Sequence, residues 1–168
     1  MAQSSVYFAH GKESGPWGRK IRALAGVARR QGFRIISPDY SFTFDPNERV
    51  EHLLAQKPDG EPLVLVGSSM GGYVSAVASR TLKPQGLFLL SPAVDMPGYE
   101  ADPSPQAELF EIVHGYRDDI VPVDNAIRFA RTHRARLHLL DAEHTLVEAI
   151  NYLENLFELF LAEVTRGC

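Results

Sequence analysis

One stretch constrains the fold more than any other: Pro62-Leu63-Val64-Leu65-Val66-Gly67 is apolar without interruption over the length of a strand, and it runs straight into Ser68-Ser69-Met70-Gly71. A strand with one face in water alternates apolar and polar side chains. An unbroken run therefore implies a strand covered on both faces, as in the middle of a parallel sheet. The segment that follows, Tyr73 to Leu82, is rich in Ala, Ser and Val and carries few charges. It predicts a helix packed closely on that sheet and ended by Lys83-Pro84.

The same alternation runs through the rest of the chain. Residues 4 to 9 form a β-favouring run that ends in His10-Gly11, and Trp17 to Gln31 is helical and closed by Gly32 in the manner of a C-cap. Phe33 to Ile36 reads as a second strand stopped by Pro38, and Asp45-Pro46 opens a short helix to about Gln56. Further strands are expected at Gly86–Leu90, Leu109–His114 and Arg136–Leu140, with a helix at Pro122–His133. Leu146, Ile150, Leu153, Phe157, Phe160 and Val164 form the buried stripe of a terminal amphipathic helix. Strand and helix in alternation predict an α/β protein: a three-layer α/β/α sandwich around a mostly parallel six-stranded sheet. With 168 residues and no dividing linker, residues 1–168 are expected to form one domain.

Charge and composition narrow the function. The net charge of -4 argues against a nucleic-acid binder, which needs a clustered positive surface to neutralise phosphates. Basic residues crowd the first part of the chain (Lys12, Arg19, Lys20, Arg22, Arg29, Arg30, Arg34) and are read as solvated helix faces. No apolar stretch approaches the eighteen or so residues of a membrane span, and no basic segment precedes the apolar start. The only cysteine is Cys168, which leaves no intrachain disulfide and no thiol cluster for a metal and gives no sign of a functional role. A cytoplasmic protein without membrane or nucleic-acid partners is the expectation.

The chemistry begins at Gly67-Ser68-Ser69-Met70-Gly71, a G-x-S-x-G pattern between a strand and a helix. A sharp strand-to-helix turn lifts the Ser69 hydroxyl above the strand ends, and the chain passes through it only where the residues two before and two after lack side chains. Ser68 does not have glycines at that spacing. A serine needs a base within hydrogen-bond reach, and the base needs a third group to hold its tautomer. His144 lies between the last strand and the last helix, and Asp118 lies in His114-Gly115-Tyr116-Arg117-Asp118-Asp119-Ile120-Val121-Pro122, after the preceding strand. The order Ser, Asp, His fits a nucleophile, acid and base on this architecture.

On these segments the chain resembles the α/β-hydrolase superfamily over nearly its whole length, in particular its small lidless bacterial esterases and thioesterases. His10-Gly11 is similar to the family's lead into the oxyanion loop, and His114 to Pro122 matches its H-G-x-x-D-x-x-V-P segment, which selects Asp118 over Asp119. The resemblance implies a catalytic triad of Ser69, Asp118 and His144, with the backbone N–H groups of Lys12 and Met70 as oxyanion donors. It implies no metal and no organic cofactor. The sheet would lack the family's first two strands, and Ser91 to Leu109 is too short for a lid. The expected partner is a small-molecule ester or thioester.

Other residues have plainer readings. His10 and His114 are expected to make structural hydrogen bonds, and His52, His133 and His138 to lie in helices or a strand. Asp95 is the fallback acid, Asp39 braces a turn, and Phe42 and Phe44 pack or wall the mouth of a pocket. The loop Gly11-Lys12-Glu13-Ser14-Gly15 lacks both phosphate-loop spacings. Competing functions are the same triad in peptide cleavage, perhydrolysis or C–C bond hydrolysis, and a binding protein that retains the fold without turnover.

Overall fold

The computed structural model describes residues 2–99 and 102–167; Cys168 lies outside the described residues. Strands β1 (Ser5–Ala9), β2 (Arg34–Ile36), β3 (Leu63–Ser68), β4 (Gly86–Leu90), β5 (Leu109–Gly115) and β6 (Arg136–Leu140) alternate with helices α1 (Arg19–Arg30), α2 (Pro46–Ala55), α3 (Met70–Leu82), α4 (Val123–His133) and α5 (Ile150–Arg166). The strands form one sheet in the order β2-β1-β3-β4-β5-β6, and every neighbouring pair is parallel. The expectation of a mostly parallel sheet is thus met by one that is parallel throughout.

Alternate residues of the buried strands feed two cores. Val6, Phe8, Val64, Val66, Phe88 and Val113 face α1 and α5, where Phe157 and Phe160 pack on Phe88 with ring centroids 5.0 Å apart. Tyr7, Leu63, Leu65, Leu87, Leu89 and Ile112 face α2, α3 and α4. This is the three-layer sandwich: a sheet apolar on both faces must be covered on both. Each fully buried Leu, Val or Phe contributes about 1.5–3 kcal/mol relative to exposure.

Local signals set the boundaries. Gly32, at φ +84, follows α1 in the left-handed region, and the Asp45 carboxylate accepts from the backbone N–H groups of Asn47 and Glu48 to cap α2. Helix α3 begins at Met70, three residues earlier than the sequence predicts, because Gly71 and Gly72 disguise a helix start that their lack of Cβ makes possible. A Cβ on Gly71 would collide with the Ala9 carbonyl, and one on Gly72 would meet Pro92 at 2.8 Å. Leu146 belongs to the buried stripe but precedes α5, at φ 56, ahead of a single 3-10 turn.

The topology places the site. Strand β1 is followed by β2 on one side and β3 lies on the other, so the chain reverses direction across the sheet between β1 and β3. Ligands of open parallel sheets bind in the crevice beyond the carboxyl ends of the strands at such a reversal. The register pairs Ala9 with Gly67, Gly67 with Leu89, Leu90 with Val113 and Gly115 with Leu140. The loops carrying His10-Gly11, Ser69, Ser91, Asp118 and His144 therefore leave from one edge.

Candidate active site

Ser69 occupies the turn between β3 and α3 with φ 55 and ψ -117, a conformation that a residue with a Cβ adopts only under constraint. The constraint comes from its backbone: its N–H donates to the Leu90 carbonyl (3.0 Å), and its carbonyl accepts from Gly72 (2.9 Å) and Ala93 (3.0 Å). Gly67 and Gly71 press so closely that a Cβ on Gly67 would strike the Gly71 carbonyl. The turn presents the hydroxyl to His144, whose Nε2 lies 3.0 Å from Ser69 Oγ.

His144 Nδ1 lies 2.7 Å from Asp118 Oδ2 and donates to it. The Asp118 side chain is fully buried, and its Oδ1 accepts from the N–H groups of Ile120 (2.9 Å) and Val121 (2.8 Å). The His144 carbonyl is held in turn by the hydroxyl of buried Ser91 at 2.9 Å. The structure thus brings Ser69, His144 and Asp118 into one hydrogen-bonded chain. Asp119 is exposed, and Asp95 pairs with Arg128 away from this chain.

The two glycine-preceding histidines are in the architecture of the loops. Buried His10 accepts the Tyr40 N–H at Nε2 (2.9 Å) and so donates from Nδ1 to the Gly11 carbonyl (2.8 Å); desolvation lowers its pKa despite that carbonyl. His114 donates from Nε2 to the Val121 carbonyl (2.9 Å), with Asp118 Oδ2 3.1 Å away. Its Nδ1 is buried without a partner, which fits the bare nitrogen of a neutral ring, and burial lowers its pKa.

Two residues near the site were hidden in the sequence. Arg49, in α2, is fully buried and pairs with no carboxylate among the described residues; its guanidinium donates to the carbonyls of Thr43 (3.0 Å), His10 (3.3 Å), Gly11 (3.0 Å) and Lys12 (3.0 Å). Burial lowers its pKa. It ties three consecutive carbonyls of the loop after β1, which fixes that loop beside Ser69. Arg49→Met should therefore lower stability by ~3 kcal/mol or more, because buried acceptors left unsatisfied cost about 1–3 kcal/mol each. Arg49→Lys should restore only part of it, since one ammonium cannot reproduce a planar fork. Urea denaturation of the three proteins checks this, and a loss under 1 kcal/mol in the methionine variant would contradict it.

The second is Lys20, at the start of α1, whose Nζ donates to Ser68 Oγ at 2.8 Å. It is half-buried rather than a member of a solvated helix face. Ser68 itself is buried, with its hydroxyl accepting from this lysine.

A cleft of about 600 Å³ opens over Ser69 and His144. The loop Gly11 to Gly15 forms one wall, and Met96, Tyr99, Ile120 and Val121 contribute apolar surface. Phe42 and Phe44 do not line it; both are exposed, with Phe42 against His52 and Phe44 beneath Lys12. Val94 points into the core instead of the cleft.

The sequence of residues 6–163 matches the alpha/beta hydrolase family, and the chain belongs to that family. A Xanthomonas campestris protein assigned to the alpha/beta hydrolase superfamily is 31% identical, with a TM-score of 0.88 over 97% of this chain and 99% of that one. A second Xanthomonas campestris structure, an a/b serine hydrolase without a lid, is 18% identical with a TM-score of 0.70, covering 97% of this chain and 84% of its own. Est1E from Butyrivibrio proteoclasticus, also solved with ferulic acid bound, is 16% identical with a TM-score of 0.75 over 98% of this chain and 89% of that one. No curated protein sequence matches the chain. In general terms this is a hydrolase fold. No helix lies between β4 and β5 among the described residues. No helix among the described residues is long and apolar enough to cross a membrane.

Proposed function

We propose that the protein is a serine hydrolase that cleaves carboxylic esters or thioesters of small acyl groups through an acyl-enzyme intermediate. The observation that carries this reading is the relay from Ser69 Oγ to His144 Nε2 and from His144 Nδ1 to buried Asp118, with separations of 3.0 Å and 2.7 Å. Ser69 attacks the substrate carbonyl while His144 takes its proton. Asp118 stabilises the imidazolium. His144 then delivers the proton to the leaving alcohol or thiol, and water repeats the sequence on the acyl-serine.

The negative charge that develops on the carbonyl oxygen is taken by the N–H groups of Met70 and Lys12. Neither donates to another group among the described residues in the hydrogen bonds outside regular helices and strands. Met70 also opens α3, where the helix dipole favours negative charge. Each such donor is typically worth about 3 kcal/mol in the transition state. Arg49 acts here as a positioning residue, since it holds the carbonyls of residues 10 to 12 and thereby aims the Lys12 N–H. The aligned relay argues against a binding protein without turnover.

The acyl group has a short apolar wall. Each methylene removed from water contributes about 0.8 kcal/mol, but only while it meets apolar surface. Met96, Tyr99, Val121 and Val147 supply that surface, and Ile120 is more than half exposed at the rim. The expected result is a maximum in kcat/KM at acyl groups of about two to six carbons, with no further gain per methylene once the wall is covered. A panel of p-nitrophenyl esters and acyl-CoA thioesters from acetyl to palmitoyl tests both the reaction and the chain length. No hydrolysis of any member would overturn the reading, and a steady rise to palmitate would overturn the short-chain part alone.

A further inference from the structure

The cleft wall carries charge of one prevailing sign. Among the described residues its charged side chains are Lys12, Arg19, Lys20 and Glu13. Lys12, Glu13 and Arg19 are exposed at the rim, whereas Lys20 is half-buried, next to the nucleophile turn. Its Nζ meets a hydroxyl, Ser68 Oγ, and forms no ion pair with a described carboxylate. Adjacent Cα atoms are about 3.8 Å apart, so an ammonium bound to the Ser68 hydroxyl lies on the order of 10 Å or less from Ser69 Oγ. That is within reach of a group carried a few atoms from a scissile carbonyl. An ammonium has three donors, and one hydrogen bond to a neutral hydroxyl leaves its charge without a direct ionic partner among the described residues in a partly dehydrated site, with Asp118 compensating only part of it from a distance.

We propose that Lys20 is a substrate-binding residue that takes a carboxylate carried by the ester, so that the cleft selects anionic over neutral esters of the same shape. This rests on the ester-hydrolase reading of the same cleft. A carboxylate arriving beside Lys20 gives the ammonium an ionised acceptor in place of, or beside, a neutral hydroxyl, and a hydrogen bond between opposite charges is the stronger one. Lys12 and Arg19 at the rim favour its approach. Burial supports the same conclusion: it pulls the Lys20 ammonium down to about 8, opposed only in part by the charge of Asp118. The site is therefore cationic at pH 7 and loses that charge as pH rises through about 8, earlier than an exposed lysine would.

The test pairs p-nitrophenyl esters of equal carbon count: hemisuccinate, hemiglutarate and hemiadipate against butyrate, valerate and hexanoate. A second arm carries the carboxylate on the alcohol side, as acetate esters of hydroxybenzoates against the corresponding cresyl acetates. In at least one arm, kcat/KM should favour the anionic member by about tenfold, the lower end of what a hydrogen bond to a charged group supplies. The arm that shows the preference identifies which half of the ester reaches Lys20. The ratio should collapse toward one in Lys20→Met, persist in Lys20→Arg, and decline in the wild type between pH 7 and 9. Taking a ratio removes the contribution of His144, His10 and Asp118, which act on both esters alike. Ser68→Ala separates binding from support: if Lys20 only steadies Ser68, this variant would lose the ratio as Lys20→Met does, and the proposal fails. It fails equally if no arm favours the anionic ester or if Lys20→Met keeps the preference. Should Lys20→Met not fold, the pH series and Lys20→Arg decide. Should no ester be cleaved, the hydrolase reading falls separately, and calorimetric titration with glutarate tests the site: binding that weakens at least fivefold from pH 7 to 9 supports it, and no binding overturns it.

Discussion

Ser69→Ala should fold with nearly unchanged stability and hydrolyse esters at least about a thousandfold more slowly. The stability part follows from what holds the turn. The hydrogen bonds that hold φ 55 at Ser69 are made by its backbone N–H and carbonyl, to Leu90, Gly72 and Ala93, and alanine keeps all of them along with the Cβ. The activity part follows from what the hydroxyl does: among the described residues, Ser69 Oγ is the group hydrogen-bonded to His144 Nε2. In the proposed mechanism, what survives its loss is substrate binding and the oxyanion donors, which still favour attack by water to a small extent. A fluorophosphonate should label the wild type at Ser69, located by mass spectrometry of the tryptic peptide, and should not label the variant. Ser68 is not expected to replace it, because its hydroxyl is buried against Lys20 and makes no hydrogen bond with His144 among the described residues. An adduct on Ser68, or activity within tenfold of wild type in Ser69→Ala, would overturn the assignment.

The strands were legible because a sheet buried on both faces leaves continuous apolar runs such as Leu63 to Val66, and because Gly and Pro punctuate their ends. The Ser69 turn was legible for a local reason: the glycines that permit it lie within two residues of it. His144 and Asp118 could be placed because parallel connectivity sends every strand end to one edge, so order along the chain becomes neighbourhood in space. Arg49 lies 37 to 39 residues from the three carbonyls of the loop after β1 that it binds, and in sequence it is one charged residue on a short helix. Lys20 was hidden among basic neighbours for the same reason. Whether a lysine faces water or a cleft depends on how α1 rotates against the sheet. Phe42 and Phe44, which the sequence offers as packing residues or as a pocket wall, pack on His52 and under Lys12 and stay exposed outside the cleft lining.

Asp118→Asn should reduce kcat by roughly 10⁴-fold while Asp119→Asn stays within about twofold of wild type. The size of the first effect follows from the crowding around the carboxylate. Oδ1 accepts two backbone N–H groups, from Ile120 and Val121, and Oδ2 accepts His144 Nδ1 with His114 Nε2 at 3.1 Å. An amide has only one oxygen to offer. If it keeps that oxygen toward Ile120 and Val121, its NH₂ faces His144 and His144 must present a bare Nδ1. The ring proton then sits on Nε2, pointing at Ser69, and the base can no longer accept the serine proton. If the amide flips, its NH₂ meets two backbone donors in a fully buried site, at a cost of about 1–3 kcal/mol for each group left unpaired. The first arrangement is the cheaper one, so the variant should fold and be trapped in the wrong tautomer. In the proposed mechanism, loss of the negative charge also removes the stabilisation of the imidazolium that forms as Ser69 attacks. Asp119 is exposed and lies outside this arrangement, and its amidation changes only the surface charge. Steady-state kinetics of both variants on one short-chain ester decides it: equal losses, or a larger loss at Asp119, would mean that Asp118 does not orient the base.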